Sequence, residues 1–375
     1  MGRTLRVAGS LLAVAAFAAA TATAASAAAA PATVAVTSEP VISLAANAGR
    51  IAYRTHFTDG VEGVCNSVHV RPLLGGRESV PVRCSRGGTD DRGRGVALGS
   101  HTLVYDSIEY EPVNATHDGT EAWVWRVSSG RKAQLLYAFY EITCHGSSVG
   151  PVAYGAGALF SRIVATEIDP AMECELGSGG GPGVSSMTSA GIRYAPAGAG
   201  SATAIPGAPG ASILAARWPT LAIVPLRLPQ PMGELILPPA RGTERVESWN
   251  LRTKTRRCTA GFAGVPAAVA TNGARIAAIV PTSPGRRLVI LDARTCAHLR
   301  TRPLDGHIQP AVAVGAHVAA WVSGRSIMTL DLATGRVSRV YRAALVPHGL
   351  VISDGRLVWW ITGRHGGRVL RLPLP

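Results

Sequence analysis

The sequence predicts an all-β fold, a β-propeller of four-stranded antiparallel blades, and three observations support this prediction. A glycine followed by a short apolar run recurs at 273–279, 315–321 and 355–360, a spacing of ~40 residues. A second phrase, an apolar run that ends in Asp and a turn, follows the first two copies at 289–295 and 328–335. Glycine and proline are abundant (43 and 25 residues), while charged residues make up only 16%. Short strands joined by tight turns at such a period are typical of propeller blades.

Residues 1–30 have the layout of a secretory signal peptide. Arg3 and Arg6 precede an Ala/Leu/Val-rich run, and the small residues at 25–27 suit signal peptidase. The dominance of alanine favours a cleaved signal over a membrane anchor, and no later stretch reaches the roughly 18 apolar residues of a membrane helix. We therefore expect an exported chain without a transmembrane segment, in which 31–375 forms a single propeller domain.

Looser copies of both phrases occur upstream and allow the blades to be counted. We interpret the first phrase as a turn into an inner strand and the second as a strand followed by a turn to the outer strand. Seven core positions result, which favours seven blades over six or eight: Ile51, Leu103, Leu159, Leu221, Ile276, Val318 and Leu357. An eighth candidate at 191–194 lies in a Gly/Ala/Pro-rich segment, 177–210, that is too short for two full blades. We expect this irregular segment to hold either a degraded blade or a long mobile loop.

The two ends of the mature chain complement each other. The last copy supplies apolar runs at 350–352, 357–361 and 369–372 and then stops one strand short of a four-stranded blade. The run 33–37 is a lone strand that precedes the first full copy. Pairing this strand with the last blade would close the ring and leave no open sheet edge at the seam.

Six cysteines in an exported chain indicate disulfide bonds. Six cysteines allow fifteen connectivities, of which pairing between sequence neighbours is the simplest. That pattern predicts three bonds: Cys65 with Cys84, Cys144 with Cys174 and Cys258 with Cys296. The first pair flanks a predicted hairpin, and the third could join two consecutive blades. A zinc site is the alternative, but no C-x-x-C pair or Cys/His cluster occurs.

The net charge of +14 raises the possibility of polyanion binding. Lysine occurs only at Lys132 and Lys254, and the arginines are scattered, with small clusters at 92–94, 252–257 and 286–287. No basic stretch is interleaved with stacking aromatics. The pattern leaves weak, electrostatic binding of a polyanion of the cell envelope as a further alternative and predicts no specific recognition of nucleic acid.

No coherent catalytic set is present. Residues 146–150 match G-x-S-x-G, but the following 151–155 run cannot begin the helix that would place Ser148 as a nucleophile. The histidines form neither H-E-x-x-H nor H-x-H. His101 and His317 occupy similar places in their phrases, as ligands gathered from different blades would, although chance also explains this. We therefore assign no catalytic, metal-binding or cofactor-binding residue.

The seven tryptophans could line a sugar-binding face, but in a propeller they more often pack between blades. Trp359 and Trp360 are adjacent on a predicted strand, so their side chains face opposite ways. One of the two must point away from the packing partner of the other.

The pattern over 266–375 resembles the TolB-like and WD40-like propeller families of exported bacterial proteins. Residues 353–358 look like their S-P-D-G-Lys-hydrophobic phrase, with Ile352 where proline is usual, and 328–336 are similar to their hydrophobic-D-L-x-T-G phrase. The match is weak before 266. These families share a fold rather than an activity, so the resemblance implies mainly ligand or protein binding on a face of the ring.

The sequence thus predicts an exported, monomeric, non-enzymatic propeller in the cell envelope or outside the cell. It would bind a protein or cell-envelope partner through one face of the ring, without a cofactor. The alternative is a carbohydrate-active or metal-dependent propeller enzyme with its site at the central channel.

Overall fold

A computed structural model describes residues 30–58, 64–84, 90–91, 93–110, 117–141, 145–168, 184–227, 241–363 and 366–374. Within these ranges the chain forms β-strands and turns and contains no helix. It follows that no helix of the described residues is long and apolar enough to cross a membrane. Residues 1–29 lie outside the described part, so the signal peptide stays a prediction.

The strands form seven blades, which confirms the predicted fold and count. Blade 1 contains β2 (Val41–Asn47), β3 (Arg50–Thr58), β4 (Val64–Pro72) and β5 (Ser79–Val82). Blade 2 contains β7 (Val96–Leu98), β8 (Thr102–Tyr110), β9 (His117–Arg126) and β10 (Lys132–Glu141), with β6 (Asp90–Asp91) also pairing with β8. Blade 3 contains β11 (His145–Tyr154), β12 (Gly157–Ile168), β13 (Val184–Pro196) and β14 (Thr203–Ala204).

The remaining blades follow the same antiparallel order. Blade 4 contains β15 (Ala211–Arg217), β16 (Thr220–Arg227), β18 (Arg245–Asn250) and β19 (Thr255–Gly261), with β17 (Arg241–Gly242) also pairing with β16. Blade 5 contains β20 (Ala268–Thr271), β21 (Arg275–Pro281), β22 (Arg286–Asp292) and β23 (His298–Leu304). Blade 6 contains β24 (Ile308–Val314), β25 (Val318–Ser323), β26 (Ser326–Asp331) and β27 (Val337–Arg342).

Blade 7 combines both ends of the chain. It consists of β28 (Pro347–Ser353), β29 (Arg356–Gly363), β30 (Gly366–Pro373) and the N-terminal strand β1 (Ala32–Thr37), which pairs with β30. The first strand of each blade contacts the first strand of the next, and β28 contacts β2, so these strands form a closed ring. The predicted closure by the N-terminal strand is confirmed.

The core lies between the blades because each strand alternates its side chains between two neighbours. Trp359 is fully buried and packs on Tyr341 of blade 6 at a ring distance of 4.9 Å. Trp360 points the other way, joins the cluster that blade 7 forms with blade 1, and lies 6.0 Å from the ring of His348. The prediction that adjacent tryptophans face opposite ways is confirmed, and each packs at a different blade interface.

The turns between first and second strands and those between third and fourth strands lie on one side of the ring. Backbone hydrogen bonds join them in blades 1, 2, 4, 5 and 6, as from Leu332 N to His317 O (2.8 Å) and from Ala293 N to Ala274 O (2.9 Å). Gly273 and Gly335 have φ of 96° and 77° in these turns, a conformation that glycine adopts without strain. We call this side the tight-turn face; it comprises 48–49, 73–78, 99–101, 127–131, 155–156, 197–202, 218–219, 251–254, 272–274, 293–297, 315–317, 332–336 and 354–355.

The glycine phrase leads into the second strand of each blade, an inner strand that follows the innermost one. Two details of the prediction are wrong. In blade 6 the core position is Ala319, which is fully buried. Val318 pairs with Asp331, just as Arg275 pairs with Asp292 in blade 5. Val318 is therefore equivalent to the residue that precedes the core position. The segment 177–210, expected to be a degraded blade or an irregular loop, contains all of β13 and β14, which complete blade 3, since Ile192 and Tyr194 bury their side chains in the core beside blade 4.

Two of the predicted disulfides form. Cys65 and Cys84 join the β4–β5 hairpin, and Cys258 on the outer strand of blade 4 bonds to Cys296 in a turn of blade 5. The second bond therefore links consecutive blades, as expected. Cys144 and Cys174 lie outside the described residues, so their pairing stays a prediction.

Candidate functional site: a central funnel and its basic rim

The seven innermost strands surround a cavity of about 570 Å³ that opens on the tight-turn face. Each blade contributes the last residues of its first strand, and blades 5 to 7 also contribute the start of the following turn. We call this cavity the central funnel; its lining is 44–47, 96–98, 152–154, 214–217, 269–272, 312–316 and 350–355. The volume falls in the range of small-molecule sites, roughly 300–1,000 Å³.

A repeated aliphatic–alanine pair builds the funnel wall. The pair stands shortly before the tight turn in six blades, as Leu44-Ala45, Val96-Ala97, Val152-Ala153, Leu214-Ala215, Val269-Ala270 and Val312-Ala313. Small side chains are required because seven strands converge on one axis. Sequence reasoning anchored on the glycine phrase missed this pair, although its fixed distance from that phrase is a usable signal.

Arg217 crosses the mouth of the funnel. Its guanidinium, on blade 4, donates to Asn47 Oδ1 on blade 1 at 2.9 Å. The amide of Asn47 in turn donates to Leu98 O on blade 2 at 3.1 Å. Because blade 4 lies across the ring from blade 1, the arginine spans the opening, and its side chain is exposed to solvent.

Asp354 is the acidic group at the same mouth. Its Oδ2 accepts the backbone N–H of Gly49 at 2.8 Å and the hydroxyl of Ser353 at 2.7 Å. The Gly49 N–H, the Ser353 hydroxyl and the charges of Arg217 and Arg356 together hold the pKa of this carboxyl below its usual value. Asp354 is therefore a carboxylate at neutral pH and already has hydrogen-bond donors.

Hydrogen bonds between successive blades fix the rim. Asn272 donates to Gly315 O and Thr220 donates to Gly273 O, each at 2.6 Å. Arg275 donates to Ala316 O in the same region. Polar side chains of one tight turn thus hold the next turn, which gives the funnel a defined shape without a ligand.

Cationic side chains converge on the tight-turn face. Those within its turns are Arg77, Arg131, Arg252, Lys254, Arg294 and Arg336, and Arg50, Arg217, Arg275 and Arg356 flank the turns at strand ends. The acidic residues of the turns are Glu78 and Asp354, with Asp292 and Asp331 at strand ends. Nine arginines that are scattered in the sequence therefore share one surface, because the repeat returns the chain to this face twice in each blade.

The same face exposes an aromatic ring beside the funnel. Trp218, next to Arg217, is 41% exposed, and the guanidinium carbon of Arg252 lies 5.9 Å from its ring centre. Such a cation–π pair orients both groups. By contrast, Trp125, Trp249, Trp321 and Trp359 are buried between blades, so Trp218 is the tryptophan available to a partner on this face.

The histidines suspected of metal binding do not converge. His101 and His317 occupy equivalent turns, since the carbonyl of each accepts a hydrogen bond from the adjacent turn, at 2.9 and 2.8 Å. Their side chains are exposed on blades 2 and 6. In the described ranges, no three His, Cys, Asp or Glu side chains come together as a metal site. The equivalence of these two positions reflects turn geometry.

Ser148 lies within strand β11, opposite Ile163 of β12, rather than on a strand-to-helix turn. The geometry of a nucleophile elbow is therefore absent at this residue.

A hydroxyl–imidazole–carboxylate series occurs elsewhere, at the interface of blades 1 and 7. Thr55 Oγ1 lies 3.2 Å from His69 Nε2, and His69 Nδ1 lies 3.4 Å from Glu78 Oε2. Tyr53 stacks on His69 and donates to Glu78, and burial together with that carboxylate raises the pKa of the tyrosine. Thr55 is fully buried, so a substrate cannot reach its hydroxyl and the series serves the packing of the interface.

Comparisons with known proteins identify the fold. No family model matches the chain, and no curated protein matches it. The β-propeller domain of the Trilobed protease from Pyrococcus furiosus is 8% identical, with 89% of this chain and 93% of that chain covered and a TM-score of 0.51. A chain of the Mitotic Checkpoint Complex is 11% identical, with 99% of both chains covered and a TM-score of 0.52. At such low identity these likenesses assign a β-propeller fold and no family.

Proposed function

We propose that this protein is an exported, non-enzymatic β-propeller that binds a protein or cell-envelope partner through the tight-turn face. The observation that carries the proposal is the mouth of the central funnel, where Arg217 and Trp218 stand exposed beside a concave opening. Arginine and tryptophan are the residue types most enriched at binding hot spots. The hydrogen bonds of the rim keep the backbone in place, which lowers the entropic cost of binding.

Two further observations support this assignment. The disulfides Cys65–Cys84 and Cys258–Cys296 fit an oxidising compartment outside the cytoplasm. A propeller of similar fold belongs to the Mitotic Checkpoint Complex, an assembly of proteins. The residues that repeat between blades form the core and the turns, whereas Arg217 and Trp218 do not repeat.

The test is affinity capture from a solubilised cell-envelope fraction. The purified protein is immobilised beside the variant Arg217→Gln/Trp218→Ala and a control variant, Leu345→Ala. Leu345 is 43% exposed, close to the 41% of Trp218, and lies outside the tight-turn face. We expect Arg217→Gln/Trp218→Ala to capture at least about tenfold less partner than the natural protein. This is a hot-spot effect of about 1.4 kcal/mol or more. Equal capture by all three proteins would assign the binding to another surface.

A further inference from the structure

We propose that the ligand of the tight-turn face is a linear anionic polymer of the cell envelope, with a negative charge on each repeating unit. This inference rests on the proposed function and specifies the chemistry of its partner. The distribution of charged side chains on this face, rather than the net charge of the chain, supports it. Exposed arginines stand on three successive blades, as Arg252 on blade 4, Arg294 on blade 5 and Arg336 on blade 6.

The neighbouring carboxylates do not cancel this surface. Asp292 Oδ1 accepts the N–H groups of Arg294 (2.8 Å) and Thr295 (2.9 Å), and Asp331 Oδ1 accepts those of Ala333 (2.9 Å) and Thr334 (2.7 Å). Each carboxylate is thus bound by backbone N–H groups of its own turn, although Asp331 is exposed. The four acidic side chains of this face are outnumbered by its ten cationic ones, so the face keeps a net positive charge.

The separation of the cations favours a chain over a compact anion. Each of these arginines lies in the turn between the third and fourth strands of a different blade, so the three follow one another around the ring. A flexible chain with regularly spaced charges can reach successive blades, and the guanidinium group binds phosphate or carboxylate oxygens in a bidentate manner.

The scarcity of exposed apolar groups disfavours a folded acidic protein. The large hydrophobic side chains exposed on the described part of this face are Leu74 on blade 1 and Trp218 on blade 4. A stable protein interface usually buries about 800 Å² on each partner around an apolar core. Two isolated side chains do not form such a core, whereas a charged polymer does not require one.

The test measures binding of long-chain inorganic polyphosphate to the purified protein by fluorescence anisotropy as a function of salt, with neutral dextran as the negative control. Affinity for polyphosphate should fall by about tenfold or more between roughly 50 and 200 mM NaCl, because each contacted charge releases counterions.

Two variants with equal net charge locate the site. The face variant is Arg252→Gln/Arg294→Gln/Arg336→Gln. The control is Arg287→Gln/Arg302→Gln/Arg325→Gln, three exposed arginines outside the tight-turn face. We expect the face variant to lose about tenfold in affinity and to reduce the slope of log K against log salt by about 2 to 3. The control should keep both values.

Several results would overturn the inference. Absence of polyphosphate binding, salt-independent binding, or equal losses in both variants would each do so. A folded protein captured through Arg217 and Trp218 without polyphosphate binding would refute the polymer and leave the proposed function standing. If neither polyphosphate binding nor partner capture depends on residues of this face, both proposals are refuted.

Discussion

At the scale of single residues, the aspartate at the end of a blade's third strand explains why the second sequence phrase, an apolar run that ends in Asp and a turn, recurs. Asp292 and Asp331 accept the N–H groups of the residues two and three positions later, so each side chain closes the turn that follows its strand. Asn250 performs part of this task in blade 4, where its Oδ1 accepts the N–H of Arg252 at 3.0 Å. The phrase is therefore a local turn signal, and amide or carboxylate oxygens both satisfy it.

The two carboxylates predict a pH dependence of stability. The backbone N–H of Arg294 lowers the pKa of Asp292, and that of Thr334 lowers the pKa of Asp331. A folded-state pKa below the unfolded value of about 3.9 contributes stability above that pH, and the contribution is lost as the pH falls through the folded pKa. We expect Asp292→Asn/Asp331→Asn to unfold at lower urea concentration than the natural protein at pH 7, and the difference to shrink as the pH falls below about 3.9. A difference that stays constant from pH 7 to pH 3 would contradict this account.

At the scale of elements, the sequence predicts the blades best where both phrases are complete. Blades 5 and 6 carry both, because their turns are short and capped by Asn272, Asp292 and Asp331. Upstream, β12 and β13 are long and their connection is rich in glycine, so the turn signals are diluted. The residues at 191–194 therefore look like the start of an eighth blade, although they belong to the third strand of blade 3. An apolar residue directly after the turn predicts Val318 as the core residue of blade 6. The pairing of Val318 with Asp331 sets the register and places Ala319 at that position instead.

The funnel was the least predictable part of the site. Its wall consists of aliphatic and alanine residues that carry no chemical signature, and its rim is assembled across the ring. Arg217 and Asn47 are 170 residues apart in the sequence, so only closure of the ring brings them together. The nine arginines of the tight-turn face share that surface because each blade returns the chain to it twice, which the scattered positions in the sequence do not reveal.

The disulfide between blades predicts a stabilising effect of its own. Cys258 and Cys296 are 38 residues apart, whereas Cys65 and Cys84 are 19 apart within one hairpin. The chain-entropy relation gives about 4 kcal/mol for the longer loop and about 3 kcal/mol for the shorter one. We expect Cys258→Ser/Cys296→Ser to lower the free energy of unfolding at least as much as Cys65→Ser/Cys84→Ser, as measured by urea denaturation. A markedly smaller loss for the bond between blades would show that packing alone holds blades 4 and 5 together.

At the scale of the whole molecule, the closed ring depends on β1. In this strand Val34 is 7% exposed and packs in the cluster shared by blades 7 and 1, while Val36 is 71% exposed. These two valines offer a matched test, because the same substitution at either position adds the same charge to the same strand.

We expect Val34→Asp to destabilise the protein by several kcal/mol, since it removes a buried side chain worth about 1.5–3 kcal/mol and forces a carboxylate towards the core. Val36→Asp should change the free energy of unfolding by no more than about 0.5 kcal/mol. Release of β1 would also expose the edge of β30, and an open edge pairs readily with other chains. Chemical denaturation should separate the two variants, and size-exclusion chromatography over a range of concentrations should show association of Val34→Asp alone. If both variants remain monomeric and equally stable, the ring is held shut by the packing of blades 6 and 1 against blade 7, and β1 is only an accessory strand.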